Sequence, residues 1–250
     1  MITDPAFYLV AIPAIILIGI SKGGFGSGVG ILATPMVALA VPMTQAAAIL
    51  LPILCLMDVV GLIAYRGRWM RDHIVLLLCG GICGIVLGAL AFSYIDDAML
   101  RIGIGAFAIS FVVHRLASSK QGEAAPHSPA KGFFWSMVSG FTSTLIHAGG
   151  PPLNVYLLPR RLDKTVFVGT TVVFFAVVNA VKLLPYAWLG LFDSANLKTS
   201  AVLAPLAPVG ILLGVWMMKR IPQELFYRIC YVILLVVGSK LLWDGFSGLK

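Results

Sequence analysis

Residues 6–40 read AFYLVAIPAIILIGISKGGFGSGVGILATPMVALA, and the interruption inside this run decides which kind of fold the chain can adopt. An apolar stretch over 6–20 gives way to Ser21-Lys22-Gly23-Gly24-Phe25-Gly26-Ser27-Gly28, and a second apolar stretch follows over 29–40. Neither arm has the roughly 20 apolar residues that a helix needs to cross a hydrocarbon core of about 30 Å. The pattern predicts a re-entrant hairpin or a broken helix with its tip at membrane depth. Non-helical backbone persists there only where protein or a watery cavity satisfies its polar groups.

The composition of the chain puts that hairpin in a bilayer. Of 250 residues, 60% are hydrophobic and 11% charged, whereas a soluble domain carries roughly 25% charged residues with which to face water. Glycine is abundant, as close approach of transmembrane helices requires. The net charge of +8 would suggest nucleic acid in a soluble protein. Here the cations sit in short loops, as membrane orientation demands, so no nucleic-acid partner is expected. The N-terminal segment carries Asp4 and no Lys or Arg, so it lacks the basic region of a cleaved signal. The cysteines Cys55, Cys79, Cys83 and Cys230 fall in apolar segments and read as packing residues. The one-turn spacing of Cys79 and Cys83 leaves a redox or sulfur-handling pair open.

Six further segments are long enough to span: 44–65, 73–93, 98–116, 165–186, 199–217 and 223–243. Pro52, Pro205 and Pro208 lie within three of them and are expected to bend their helices. A second interrupted region covers 132–158, where Thr142-Ser143-Thr144-Leu145-Ile146-His147-Ala148-Gly149-Gly150-Pro151-Pro152 separates two short apolar arms. The polar linker 118–131 divides the chain into a first repeat, 1–117, and a second, 132–250. Gly84-Ile85-Val86-Leu87-Gly88-Ala89 parallels Gly210-Ile211-Leu212-Leu213-Gly214-Val215, and Thr44, Asp58 and Tyr65 parallel Thr165, Asn179 and Tyr186 at a constant offset.

Loop charges set the topology. Arg66, Arg68 and Arg71, the segment Arg115–Lys131, Arg160, Arg161 and Lys164, and Lys219 and Arg220 make basic loops, whereas 94–97 and 187–197 hold acidic residues and no Lys or Arg. If 132–158 crosses the membrane once, two basic loops fall on opposite sides. If it is a hairpin, every loop alternates correctly. The expected fold class is an all-α integral membrane protein of two inverted repeats. Each repeat is a re-entrant or broken-helix hairpin (6–40 or 132–158) plus three transmembrane helices, with both termini outside. Such repeats with broken helices at their interface mark many secondary transporters.

The two tips are the candidate site. Gly23, Gly24, Gly26 and Gly28 are expected to leave main-chain N–H groups free to cup an anion, with help from a helix N-terminus near Gly28 and from the hydroxyls of Ser21 and Ser27. Lys22 either draws an anion or titrates during transport; if the tip is shallow, it snorkels to water. The second tip offers Thr142, Ser143, Thr144, His147, Gly149 and Gly150 as donors. Asp58 and Asn179 occupy equivalent places in the repeats, and an intramembrane Asp is functional by default. Asp58 is open to pairing with Lys182, to binding a coupling proton, or to solvation near a loop. Asn179 and Lys182 share a helix face at i, i+3, where an anion can contact both. Asn179 joins the binding candidates, and Lys22, Asp58 and His147 are the proton- or ion-coupling candidates.

Gly28-x-Gly30-x-x-Ala33 fits the loose dinucleotide fingerprint but lacks its strand and its acidic partner. No metal spacing, nucleophile elbow or Walker lysine is present, so no enzyme activity, cofactor or metal is expected.

Through Gly23-Gly24-Phe25-Gly26-Ser27-Gly28-Val29-Gly30 with Thr34-Pro35, and through Ser143-Thr144-Leu145-Ile146-His147-Ala148-Gly149-Gly150-Pro151-Pro152, the chain resembles the sulfite exporter TauE/SafE family of membrane permeases. The resemblance extends over essentially the whole chain. It implies a bacterial inner-membrane transporter of small sulfur-containing anions such as sulfite, sulfoacetate or related organosulfonates, driven by an ion gradient. The expected partners are that anion and the lipid bilayer, with a homo-oligomer left open. An anion channel and a non-transporting membrane scaffold subunit are the alternatives. A channel conducts without coupling, and a scaffold gives no flux.

Overall fold

Asp4 starts the first helix: its carboxylate accepts from the Ala6 N–H at 2.9 Å while Pro5 takes the first helical position, where its missing N–H costs nothing. The computed structural model describes residues 1–26, 33–37, 40–91, 94, 97–117 and 128–248. Its elements in chain order are α1 (Pro5–Gly24), α2 (Ala33–Val37), α3 (Met43–Ala64), α4 (Arg71–Ala91), α5 (Asp97–Ala117), α6 (Pro129–Ile146), α7 (Gly150–Leu157) with a 3-10 turn over Leu158–Arg160, α8 (Lys164–Trp188), α9 (Ser194–Leu203), α10 (Leu206–Arg220) and α11 (Gln223–Gly248). There is no strand among the described residues. The chain is an all-α, multi-pass membrane protein. Among the described residues, five helices (α1, α3, α4, α8 and α11) are long and apolar enough to cross a bilayer, and α9 with α10 makes a sixth if the pair is one span bent by 44°.

Among the described residues, helices lie in each of the six predicted segments; 92–93 fall outside the described residues, and 199–217 is divided between α9 and α10. Of the predicted bends, the one at Pro205 is real, because Pro205 stands where α9 ends and α10 begins. Pro208 lies in the first turn of α10, where its ring removes no intrahelical bond. Pro52 leaves α3 continuous. The first hairpin differs from expectation. α1 does not stop at Ser21 but runs through Lys22, Gly23 and Gly24, so it is a full-length candidate span of 20 residues rather than a short arm. A second corrected expectation is the helix N-terminus near Gly28: among the described residues the next helix is α2, beginning at Ala33. Ser27, Gly28 and Gly30 lie outside the described residues.

The second interrupted region is a hairpin, with its break shorter than expected. α6 continues through Thr142-Ser143-Thr144-Leu145-Ile146, leaving only His147, Ala148 and Gly149 between it and α7. The chain then doubles back, since the start of α6 at Gly132 meets the ring of Tyr156 near the end of α7. The two ends of the hairpin therefore lie together within unit 2.

The chain forms two compact units, and neither is a sequence half. Unit 1 comprises Met1–Arg71 and Thr165–Ile221; unit 2 comprises Asp72–Lys164 and Pro222–Lys250. Unit 1 takes the first hairpin and α3 from the first half and α8, α9 and α10 from the second. Unit 2 takes the second hairpin and α11 from the second half and α4 and α5 from the first. In unit 1, α1 packs on α10 with backbones nearly touching: a Cβ at Gly19 would lie 2.7 Å from the Gly210 Cα, and one at Gly24 would lie 2.6 Å from the Gly214 carbonyl oxygen. In unit 2 the same device joins α4 to α6, where a Cβ at Gly84 would run into the Met137 carbonyl and one at Gly140 into that of Gly81. Between membrane helices, where lipid supplies no hydrophobic drive, such close van der Waals packing is a main source of association. The paralleled segments of Gly84–Gly88 and Gly210–Gly214 thus do the same job in the two units. Each unit keeps a core of its own, with Ile15, Leu51, Phe174 and Tyr186 fully buried in unit 1 and Leu77, Leu157 and Leu234 in unit 2. Large side chains such as Leu9, Ile63, Val75 and Leu184 are exposed, as lipid-facing positions require.

Gly24→Ala and Gly84→Ala should each destabilise the protein by about 1–3 kcal/mol through overpacking. Gly103, on the same criterion, has open space around it, so Gly103→Ala should be neutral or stabilise by up to about 1 kcal/mol through helix propensity. Thermal unfolding of the three variants in detergent will show opposite signs if these contacts are as described.

Candidate functional site

An ionisable residue in an apolar helix must find a partner or lose its charge. In unit 1, three helices solve this together. α1 carries Lys22 in its last turn, α3 carries Asp58, and α8 carries Asn179. The Lys22 ammonium lies 2.6 Å from Asp58 Oδ1, and the Asn179 side-chain amide donates to Asp58 Oδ2 at 2.6 Å. Lys22 Nζ also donates to the Leu54 carbonyl at 3.4 Å. Lys182, one turn beyond Asn179 on α8, is fully buried and within electrostatic reach of both Lys22 and Asp58. Lys22 is 3% exposed and Asp58 3%, so Lys22 does not snorkel. Asp58 lies six residues before Ala64, the end of α3, or about 9 Å along the helix. Asp58 is buried rather than solvated near a loop, and its ion-pair partner is Lys22 rather than Lys182. Taken as ionised, the cluster of two lysines and one aspartate has a formal excess of positive charge.

Tyr65, just past the end of α3, donates its hydroxyl to the Gly23 carbonyl. It ties the C-terminus of α1 to that of α3 and so fixes the Lys22 stem opposite Asp58. In the sequence, Tyr65 stands out only through its parallel with Tyr186. Gly23 and Gly24 do not form an anion cup. They lie in the last turn of α1, where N–H groups are spent on intrahelical bonds and the helix end presents carbonyls. Their lack of a side chain is what packing on α10 requires. Gly26 has φ of 67° and turns the chain beneath the Phe167 ring. Ser21 is buried in α1 beside Lys22.

The second tip, in unit 2, satisfies itself. His147 adopts the left-handed conformation that ends a helix, with φ 54° and ψ 28°, and its N–H and that of Ala148 bond to the Ser143 and Thr142 carbonyls at 3.2 Å each. Thr142 Oγ1 donates among the Val138, Ser139 and Ala148 carbonyls at 2.9, 3.3 and 3.1 Å. Thr144 Oγ1 donates to the Gly140 carbonyl at 2.9 Å, and Ser139 Oγ to that of Gly149 at 2.6 Å. A hydroxyl has one proton to give, so those of Thr142 and Thr144 are committed to backbone. At the start of α7, Pro151 and Pro152 have no N–H and Leu153 N makes the first intrahelical bond, to the Gly149 carbonyl, so of the four usual orphans the N–H groups of Gly149 and Gly150 remain. Ser143 and His147 are buried there. Behind this turn lies a cavity of about 420 Å³ walled by Trp135, Phe141, Pro151, Pro152 and Met99. Thr142 is its polar residue and is already bonded, so the cavity is apolar and does not suit an anion.

The cysteines are all unbonded, and Cys79 and Cys83 are exposed on α4 rather than packed inside. Among the described residues no group of three metal-ligating side chains occurs.

A family model described as Sulfite exporter TauE/SafE matches residues 11–241 of this chain. No curated protein and no solved structure matches it.

Removing one partner from a buried ion pair strands the other, at a cost of about 3–5 kcal/mol, whereas replacing both with neutral groups is far cheaper. Lys22→Met and Asp58→Asn should each lower the melting temperature in detergent substantially, and the double variant should recover most of the loss. A double variant as unstable as the sum of the singles would mean the two residues are not coupled.

Proposed function

We propose that this chain, which belongs to the sulfite exporter TauE/SafE family, is a secondary transporter that moves a small sulfur-containing anion such as sulfite, sulfoacetate or a related organosulfonate across a bacterial inner membrane. The family is one of transporters, not enzymes. In this reading the energy comes from an ion gradient, the halves are inverted repeats, and both termini face the periplasm.

The observation that carries the proposal is the buried cluster of Lys22, Asp58, Asn179 and Lys182. Taking cations out of water into membrane helices is expensive, and a purely structural contact would be made more cheaply from apolar side chains. Lysine ammoniums and an asparagine amide, all hydrogen-bond donors, suit the oxygens of a sulfite or sulfonate group. Lys22, Lys182 and Asn179 are the proposed anion contacts, and Lys22 and Asp58 are the coupling candidates this reading retains. The sealed state of the cluster fits a carrier that opens to one side at a time better than a standing pore, which disfavours the channel reading.

The test is flux in proteoliposomes of the purified full chain loaded with labelled sulfite, sulfoacetate or an alkyl sulfonate. Wild type should take up at least one of the three. Lys22→Gln, which keeps a donor but removes the charge, should lower the initial rate by about tenfold or more, the scale of one lost charged contact. Equal rates for the two proteins would remove Lys22 from the mechanism. Absence of any flux would leave the scaffold reading in place.

A further inference from the structure

A carrier with cations in its binding site has a problem when it is empty. It must still close around charges that no substrate now neutralises. In unit 1 the described residues supply an answer. Asp58 places a carboxylate 2.6 Å from the Lys22 ammonium, its second oxygen is held by Asn179 at 2.6 Å, and the whole cluster is shut off from solvent. A carboxylate has the charge and the acceptor oxygens that a monovalent oxyanion would bring. We propose that Asp58 is a tethered stand-in for the substrate: the incoming anion takes its place on Lys22 and Asn179, and the displaced carboxylate takes up one proton and travels as the neutral acid. This rests on the transport reading above and adds to it the coupling ion, the stoichiometry and the residue that carries it.

The step balances. No covalent bond changes except the O–H bond formed on Asp58 with a proton from the aqueous side. One negative group leaves the lysines and another replaces it, so for a monovalent anion the loaded and empty forms carry the same charge in the membrane. When anion and proton leave on the far side, Asp58 returns to Lys22 and the empty carrier can reset. The carrier is then a one-to-one proton–anion symporter capable of net movement, not an obligatory exchanger.

The groups positioned to govern this proton are few. Lys22 faces Asp58 from α1, Asn179 and Lys182 face it from α8, and Cys55 lies one turn away on α3 itself; these are the described residues whose charge or hydrogen bonds reach it. Lys22 holds the carboxylate in an ion pair at 2.6 Å while the site is empty. A bound anion cancels that attraction, and the proton then follows.

The experiment uses proteoliposomes of the full-length protein with an entrapped pH dye and a labelled alkyl sulfonate, whose single negative charge does not titrate. Two fluxes are read: net uptake into empty vesicles, and exchange into vesicles preloaded with unlabelled anion. For wild type, net uptake should acidify the interior by about one proton per anion. For Asp58→Asn, which leaves the lysines with no stand-in, the ratio of net to exchange flux should fall at least about tenfold, because the empty form now strands a buried charge. Residual net uptake in that variant should carry no proton.

Wild-type net uptake without acidification would overturn the inference on its own, even if the variant fails to fold. An unchanged ratio in Asp58→Asn would overturn it too. Failure of wild type to move the alkyl sulfonate, sulfite or sulfoacetate in either mode would remove the transport reading itself, and this inference with it.

Discussion

A charge buried inside a membrane protein is costly unless a partner meets it. Lys22, Asp58 and Lys182 are each at most 3% exposed, in helices whose surroundings are otherwise apolar. In so low a dielectric an ion without a partner is intolerable, and an ion with one is held firmly. The Lys22–Asp58 pair therefore dictates where α1 and α3 sit relative to each other, and the Asn179 amide extends that demand to α8. A cluster that unites three helices and includes two buried lysines is a costly way to stabilise a fold.

Glycine packing makes the cluster geometrically possible. α1 lies against α10 at near backbone contact through Gly19, Gly23 and Gly24, which anchors the helix whose last turn carries Lys22. The Tyr65 hydroxyl on the Gly23 carbonyl closes the same corner from α3. Unit 2 uses the same kind of glycine seam, between α4 and α6, beneath a different kind of tip. There the hydroxyls of Thr142, Thr144 and Ser139 and the left-handed turn at His147 satisfy the backbone of the break locally. The two interruptions look alike in sequence, being rich in Gly, Ser and Thr, but one is built around charge and the other around main-chain satisfaction.

That contrast explains which site residues were legible beforehand. A charged side chain in an apolar segment announces itself, because its burial cost has few remedies; Lys22 and Asp58 stand out in the sequence on that ground and the neutral Asn179 by its parallel with Asp58, and the structure joins all three. Hydroxyls and glycines carry no such obligation. Thr142 and Thr144 can donate to a ligand or to their own preceding turn, and Gly23 and Gly24 can free an N–H or admit a neighbouring helix. Helix continuation through residues 21–24 and 142–146 decided both cases in favour of backbone. Tyr65 was overlooked because nothing local distinguishes a membrane-end tyrosine that anchors in the interface from one that caps another helix.

Hydropathy, loop charge and motif were enough for the class of the protein: the bilayer, the all-helical architecture and the family. Those three signals depend on residues near one another in the chain. It took the packing of helix on helix to show that the compact units draw helices from both halves, that Lys22 rather than Lys182 is the ion-pair partner of Asp58, and that the Thr142 and Thr144 hydroxyls bond to backbone. Those outcomes depend on which helix faces lie against each other, and Asp58 meets a lysine 36 residues before it and an asparagine 121 after it. Periodicity along one helix carries no record of the neighbour it will face.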